Sequence, residues 1–346
     1  MEKAVMRALV LKEFGTLEVQ DRPSPPPGSG EVQLQIIATG ICGSDIHGFT
    51  GKNGRRVPGQ IMGHESVGRI IALGADTDSF GLEVGSLATF NPVVLPESDL
   101  AKYAGREQHS PHKKVIGVAA DIVSAFAEQI LVPARNIVVL PETMPVNYGA
   151  LIEPIAVAVH AVRRAGVEAG DNVLVVGGGP IGQSVILAAL RAGAARVLVS
   201  ELDPARRALC ERLGATVIEP GDHPLAERVL ETLGAPADVA LDAVGISATL
   251  GDALLSTAFG GTVCLVGMGS PELALDAFRI STEERTLVGS FSYSVAEFQD
   301  AADWVATAPE ELAELISREV ALDQAQEAFA GLARMDGTPG KILVRF

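Results

Sequence analysis

In the first part of the chain, apolar positions come in short runs broken by turn formers. VMRALVLKEF, LEVQD, EVQLQIIATGI and VGRIIALG are rich in β-branched residues, and clusters such as PSPPPGSG at 23–30 separate them. That texture predicts strands and loops up to about residue 145, with SAFAEQILVPARNIVVL as its continuation. After Pro145 the period changes. NYGALIEPIAVAVHAVRRAG carries apolar residues at helical spacing and stops at Gly166. Fully apolar runs then alternate with helical segments: NVLVVGGG with PIGQSVILAALRAG, ARVLVSEL with PARRALCERLG, and ADVALDAVG with TLGDALLSTAFG before GTVCLVGMG. Strands apolar on both faces, alternating with amphipathic helices, predict a parallel sheet covered on both sides. From about Val295 a helix, AEFQDAADWVA, precedes a last strand, KILVRF.

Composition narrows the picture. Hydrophobic residues make up 47% of 346 positions, enough for two domains with a shared core, while aromatics are only 4%. The charge is −16, which repels nucleic acid; Arg55-Arg56 and Lys113-Lys114 are isolated basic pairs rather than a patch. The opening MEKAVMRALVLKEFG has no signal-type apolar stretch, and runs such as NVLVV are too short for a bilayer. Cys42, Cys210 and Cys264 form no even disulfide framework, so a reducing cytoplasm is the expected setting.

VVGGGPIGQ follows a predicted strand and opens a predicted helix. Gly177, Gly179 and Gly182 fit G-x-G-x-x-G, with Pro180 and Ile181 inside the motif. The glycines permit a tight turn, approach of backbone to a pyrophosphate, and close packing of helix on strand. Glu201, at the end of the next strand, is placed to bond the ribose hydroxyls, and its charge favours NAD over NADP; Arg206 nearby softens that preference. Val244, Val266 and Gly267 follow later strands, on the side where a dinucleotide would lie, and Asp242 ends one of those strands as either a cofactor neighbour or a solvent-facing carboxylate.

Chemistry-bearing side chains gather in GICGSDIHG at 40–48, GHESVG at 63–68 and IEP at 152–154. A thiolate, an imidazole and a carboxylate make a catalytic zinc set with one open position. Singly, Cys42 reads equally as a core thiol, His64 as a structural imidazole and Glu153 as a cap.

Together with SAFAEQILVPARNIVVLP, LIEPIAVAVHA and VVGGGPIGQ, in this order, these segments resemble the zinc-dependent medium-chain alcohol dehydrogenases over essentially the whole chain. Within them the CGSDIH, GHE and EP combination is most similar to the polyol branch of sorbitol and butanediol dehydrogenases. The resemblance implies a GroES-like, β-rich catalytic domain over 1–156, a Rossmann NAD-binding domain over 157–294, and a return to the first over 295–346. It implies hydride transfer between a secondary alcohol and NAD, with one catalytic Zn2+ per chain. Cys42 and His64 match zinc ligands. Glu65 and Glu153 match positions that ligate the metal or back it, and sequence does not choose between them. Ser44 matches the hydroxyl that takes the alcohol's proton and His47 the imidazole that passes it on. A homo-oligomer, dimer or tetramer, is implied too, with the strands near GTVCLVGMG and TLVGSFSYS as its edge. Substrates of the polyol or sugar type are expected, with small diols or amino alcohols as the alternative. A non-catalytic cofactor-binding protein would be expected to lack part of this set, and zinc-free quinone reductases lack the Cys–His pair.

Two departures stand out. Relatives with a second, structural zinc hold it by C-x2-C-x2-C-x7-C, and here those positions are Pro96, Asp99, Lys102 and Ser110. The lobe is expected to persist through packing; a substitute site from Asp99, His109 and His112 is the lesser expectation. Gly48 replaces the aromatic that similar polyol dehydrogenases often carry after the relay histidine. That change is expected to open the substrate pocket. Arg285 and Lys341 are further candidates for the site, and Cys210 and Cys264 are expected to be core thiols.

Overall fold

The computed structural model describes residues 4–346 apart from Asn53 and Asp222, so the first three residues of the opening stretch lie outside it. Packing divides the chain into two units. One comprises the chain up to Glu153, Ser294–Asp336 and Lys341–Phe346; the other comprises Pro154–Tyr293 and Gly337–Gly340. The short piece Gly337–Gly340 interrupts the C-terminal return, and the Gln183 side-chain amide donates to Pro339 O at 2.7 Å within the second unit.

The first unit is built on a 7-stranded sheet. Its central strand, Glu31–Gly40, pairs antiparallel with Glu65–Leu73, with Gln129–Pro133 and with the C-terminal strand Lys341–Arg345. Alternate residues of Glu31–Gly40 are fully buried, among them Val32, Leu34 and Ile36, as a strand with one covered face requires. A hairpin, Val5–Glu13 with Thr16–Pro23, joins Phe49, Phe126 and Phe329 in a separate core cluster. Phe329 packs its ring against Phe49 at 5.6 Å and Phe126 at 5.4 Å. Burying each such side chain contributes about 1.5–3 kcal/mol. Phe49 ends the helix Gly43–Phe49, so this cluster anchors the helix that carries Ser44, Asp45 and His47.

The second unit holds a 6-stranded, all-parallel sheet. Across it run Thr216–Ile218, Arg196–Ser200, Asn172–Val176, Ala237–Asp242, Thr257–Leu265 and Thr286–Gly289, the 3-2-1-4-5-6 order of a doubly wound dinucleotide fold. Asn172–Val176 is buried at four of its positions, in keeping with its unbroken apolar run. The helix Ile152–Ala165 ends at Gly166, whose φ of +71° suits a left-handed C-terminal cap.

The lobe around residue 100 contains the short helix Glu97–Leu100 and the paired strands Val93–Val94 and Lys114–Val115. Its departure from a zinc-held lobe has a direct replacement. Ser110 Oγ donates to Asp99 Oδ2 at 2.5 Å, and the His112 ring lies 3.0 Å from the same oxygen. Two of the four positions that the resemblance matches to cysteines thus bond each other, with Ser110 fully buried. Hydrogen bonding adds to the packing expected there.

Candidate active site

The antiparallel register brings the chemistry together. Cys42 follows the end of strand Glu31–Gly40, while His64 directly precedes the neighbouring strand and Glu65 opens it, opposite Gly40. A Cβ on Gly40 would come within 2.3 Å of Glu65 Oε2, so the absence of a side chain at position 40 admits the carboxylate. Ligand atoms of Cys42, His64 and Glu65 all lie within 4.8 Å of one another, and among the described residues this is the one His/Cys/Asp/Glu group so arranged.

Its buried polar atoms point to a cation. Glu65 Oε2 and His64 Nδ1 are buried without a hydrogen-bond partner among the described residues. Burial opposes protonation of His64, but the Asp45 carboxylate and the Cys42 sulfur outweigh it and push the imidazole up to about 10. One cysteine sulfur, one imidazole and one carboxylate fit zinc. His64 Nδ1 lies 3.8 Å from Asp45 Oδ1, so the carboxylate stands behind the imidazole without a direct hydrogen bond. Asp45 is fully buried, burial pushes its carboxyl up, and its Oδ2 accepts from Cys42 N at 3.1 Å.

Lys341, a candidate from sequence, begins the strand beside Glu31–Gly40 and donates from Nζ to Glu65 Oε1 at 2.5 Å. Both partners are buried. Burial works against the ammonium, yet Glu65 and Cys42 hold its pKa above the ordinary value. Glu153 lies outside the three-residue group, although its charge is felt at His64 and Lys341. Ser44 and His47 stand one turn apart on one helix, both half-buried.

The expectation for Gly48 needs correction. A Cβ there would lie 2.3 Å from Arg56 Cγ and 3.2 Å from Met62 Sδ. The space beside Gly48 is filled by another side chain, so it adds no room for substrate. Arg56, read from sequence only as half of a basic pair, is buried with its Nη2 3.8 Å from Asp45 Oδ1. Nothing in the local pattern distinguishes it from its exposed neighbour Arg55.

In the second unit, Gly177 makes the tight turn at φ +97°, and a Cβ on Gly182 would collide with Gly177 O at 1.9 Å. Helix Pro180–Arg191 starts after Gly179 with no side-chain cap, so the N–H groups of Ile181 and Gly182 have no intrahelical partner and can meet phosphate. Glu201 sits beside this turn, Oε2 accepting from Gly178 N at 2.7 Å and Oε1 from Asp203 N at 2.8 Å. Arg206 Nη1 is 3.9 Å from where a Gly179 Cβ would stand. Val244 Cγ2 would meet a Cβ on Gly177 at 2.5 Å, and Gly267 packs on Val244 backbone. Val266 N and Gly267 N both donate to Asp242 O. The strand ends therefore gather the expected nucleotide residues, and the set fits a dinucleotide. Asp242 itself caps the turn, accepting from Val244 N, Gly245 N and Thr249 Oγ1. Arg285 is likewise structural: its Nε and Nη2 donate to Thr257 O. Cys210 and Cys264 are fully buried, and burial pushes each thiol up to about 12.

Comparison with known proteins shows the family and the fold. Residues 28–142 match the family model described as alcohol dehydrogenase GroES-like domain, and residues 180–307 match the one described as zinc-binding dehydrogenase. The chain is 31% identical to sorbitol dehydrogenase of Ovis aries over 330 residues, 93% of this chain and 92% of that protein. It is 32% identical to L-idonate 5-dehydrogenase of Vitis vinifera, covering 80% and 78%. The crystal structure of 2R,3R-butanediol dehydrogenase from Bacillus subtilis superposes with a TM-score of 0.89 at 28% identity, covering 99% of each chain.

Proposed function

The chain belongs to the zinc-type medium-chain alcohol dehydrogenases, enzymes of zinc and NAD, and on that premise we propose that it oxidises a secondary alcohol of a polyol or sugar to the ketone. The observation that carries the site assignment is the Cys42–His64–Glu65 group, half-buried at Cys42 and buried at the other two, with ligand atoms within 4.8 Å. Cys42, His64 and Glu65 hold the metal, with Asp45 behind His64, Lys341 behind Glu65 and Glu153 as a more distant charge. When bound, zinc supplies a Lewis acid for the substrate oxygen, and NAD accepts the hydride. Ser44 takes the alcohol's proton and His47 passes it on, their one-turn spacing keeping both on one side of the helix. Gly177, Gly179, Ile181 and Gly182 bind the pyrophosphate, Glu201 the ribose hydroxyls, and Val244, Val266 and Gly267 line the cofactor's path.

The unit up to Glu153, with the C-terminal return, carries the catalytic chemistry; the unit Pro154–Tyr293 carries the nucleotide. The protein acts in the cytoplasm as a homo-oligomer, dimer or tetramer. Two observations support the oligomer. Strand Thr286–Gly289 lies at one edge of its sheet, with no second neighbour among the described residues, and the highly exposed Phe259 and Phe278 belong to the same unit. The test of function is a panel of polyols, sugar acids, diols and amino alcohols with NAD, read as NADH formation. Turnover concentrated on a polyol or sugar-type substrate supports the reading. Negligible rates on all of them, with activity on a diol or threonine, would move it to the alternative class.

A further inference from the structure

Two buried cations face acids in and beside the metal group. Lys341 meets Glu65 at hydrogen-bond distance. Arg56 meets Asp45 at 3.8 Å, with 2% of its own surface exposed. Its Nε and Nη2 have no hydrogen-bond partner among the described residues. A guanidinium withdrawn from water in this way is costly unless a charge opposes it. Asp45 is the carboxylate within ion-pair reach, and the same Oδ1 atom lies 3.8 Å from His64 Nδ1. The order in space is thus Arg56, Asp45 and then His64 of the metal group.

We propose that Arg56 is a positioning residue of the metal centre, holding the Asp45 carboxylate toward His64, and that position 48 is glycine to admit it. The inference rests on the Cys42–His64–Glu65 reading given above. Arg56 is too deeply buried to meet substrate, so it acts through Asp45. The steric half of the argument is independent of charge: a Cβ at Gly48 would displace the Arg56 stem at Cγ. Gly48 and the buried Arg56 thus form one coupled unit.

The test is zinc affinity of the metal-stripped, full-length protein, measured by competition with a chromophoric chelator, with the visible spectrum of the Co2+-loaded protein as a second readout. Arg56→Met is expected to weaken zinc binding about tenfold, the low end for partners outside the ligand shell, and to alter the Co2+ spectrum. Arg56→Lys, which keeps the charge, is expected to recover most of the affinity. In an Asp45→Asn background Arg56→Met should cost nothing further, and Gly48→Ala should weaken zinc binding only while Arg56 is present. That paired background also serves if Arg56→Met alone does not fold, since it removes both buried charges. Tighter zinc binding in Arg56→Met would mean that the guanidinium merely repels the cation, and the proposal fails. It fails equally if affinity and spectrum do not change, or if the Asp45 and Arg56 effects simply add. If the wild-type protein shows no zinc binding that depends on Cys42, the metal-site reading itself is overturned, a result distinct from any of these.

Discussion

Replacing Lys341 with methionine isolates the buried ion pair behind the metal group. Methionine keeps most of the stem volume and removes the ammonium that is hydrogen-bonded to Glu65 Oε1. The Lys341 side chain is 4% exposed and that of Glu65 is 0% exposed, so neither charge can turn to water in place. Breaking such a pair from one side costs about 3–5 kcal/mol. With a urea m-value of about 2–3 kcal/mol per M, the midpoint should fall by roughly 1–2.5 M. The unit concerned has its own reporter: Trp304, the single tryptophan, lies on helix Val295–Ala306 in the same unit. Urea unfolding followed by its fluorescence should show the full loss in metal-stripped protein. With zinc bound, the loss should be at most half as large, because the cation then compensates Glu65. A loss below about 1 kcal/mol in the stripped protein, or an equal loss with and without zinc, would refute the claim that Glu65 is a charged member of the metal group held by Lys341.

Ser44→Ala should lower kcat by about a hundredfold or more while NAD affinity, read by fluorescence titration, stays near wild type; unchanged kcat would remove Ser44 from the proton path. Glu201→Ala should weaken NAD and shift the NAD/NADP affinity ratio toward NADP, and an unchanged ratio would place the ribose contact elsewhere. Asp99→Asn should lower the melting temperature at neutral pH. The hydrogen bonds from Ser110 and His112 hold the Asp99 carboxyl below its ordinary value, so their contribution is present above about pH 4 and is lost as pH falls through the lower folded value. The gap between wild type and variant should therefore close in acid; a gap constant down to pH 2 would contradict that staple.

What was legible in the sequence was local. The glycine fingerprint, the alternation of apolar strands with helices and the Cys42-to-His47 stretch each declare themselves within a few residues, because turn geometry and hydrophobic period are properties of short segments. The long-range electrostatics were only partly legible. Glu65 and Lys341 are joined by the register of two strands on the central strand Glu31–Gly40, a fact of sheet pairing rather than of either local motif. Gly48 shows the same limit from the other side. A missing side chain reads as open space until the fold places Arg56 in it. In the lobe near residue 100, loss of the cysteines was plain, but the Asp99–Ser110 bond that replaces them required the lobe to close. Gly337–Gly340 joins the second unit through packing that its turn-like composition does not announce.

The central claim is that Cys42, His64 and Glu65 share one metal ion. X-ray absorption at the zinc edge of the purified, zinc-loaded protein tests it most directly. The account predicts one sulfur neighbour at about 2.3 Å with nitrogen and oxygen neighbours at about 2.0–2.2 Å, and loss of the sulfur contribution in Cys42→Ala. A shell without sulfur, a shell with two or more sulfurs, or a sulfur signal that survives Cys42→Ala would contradict it.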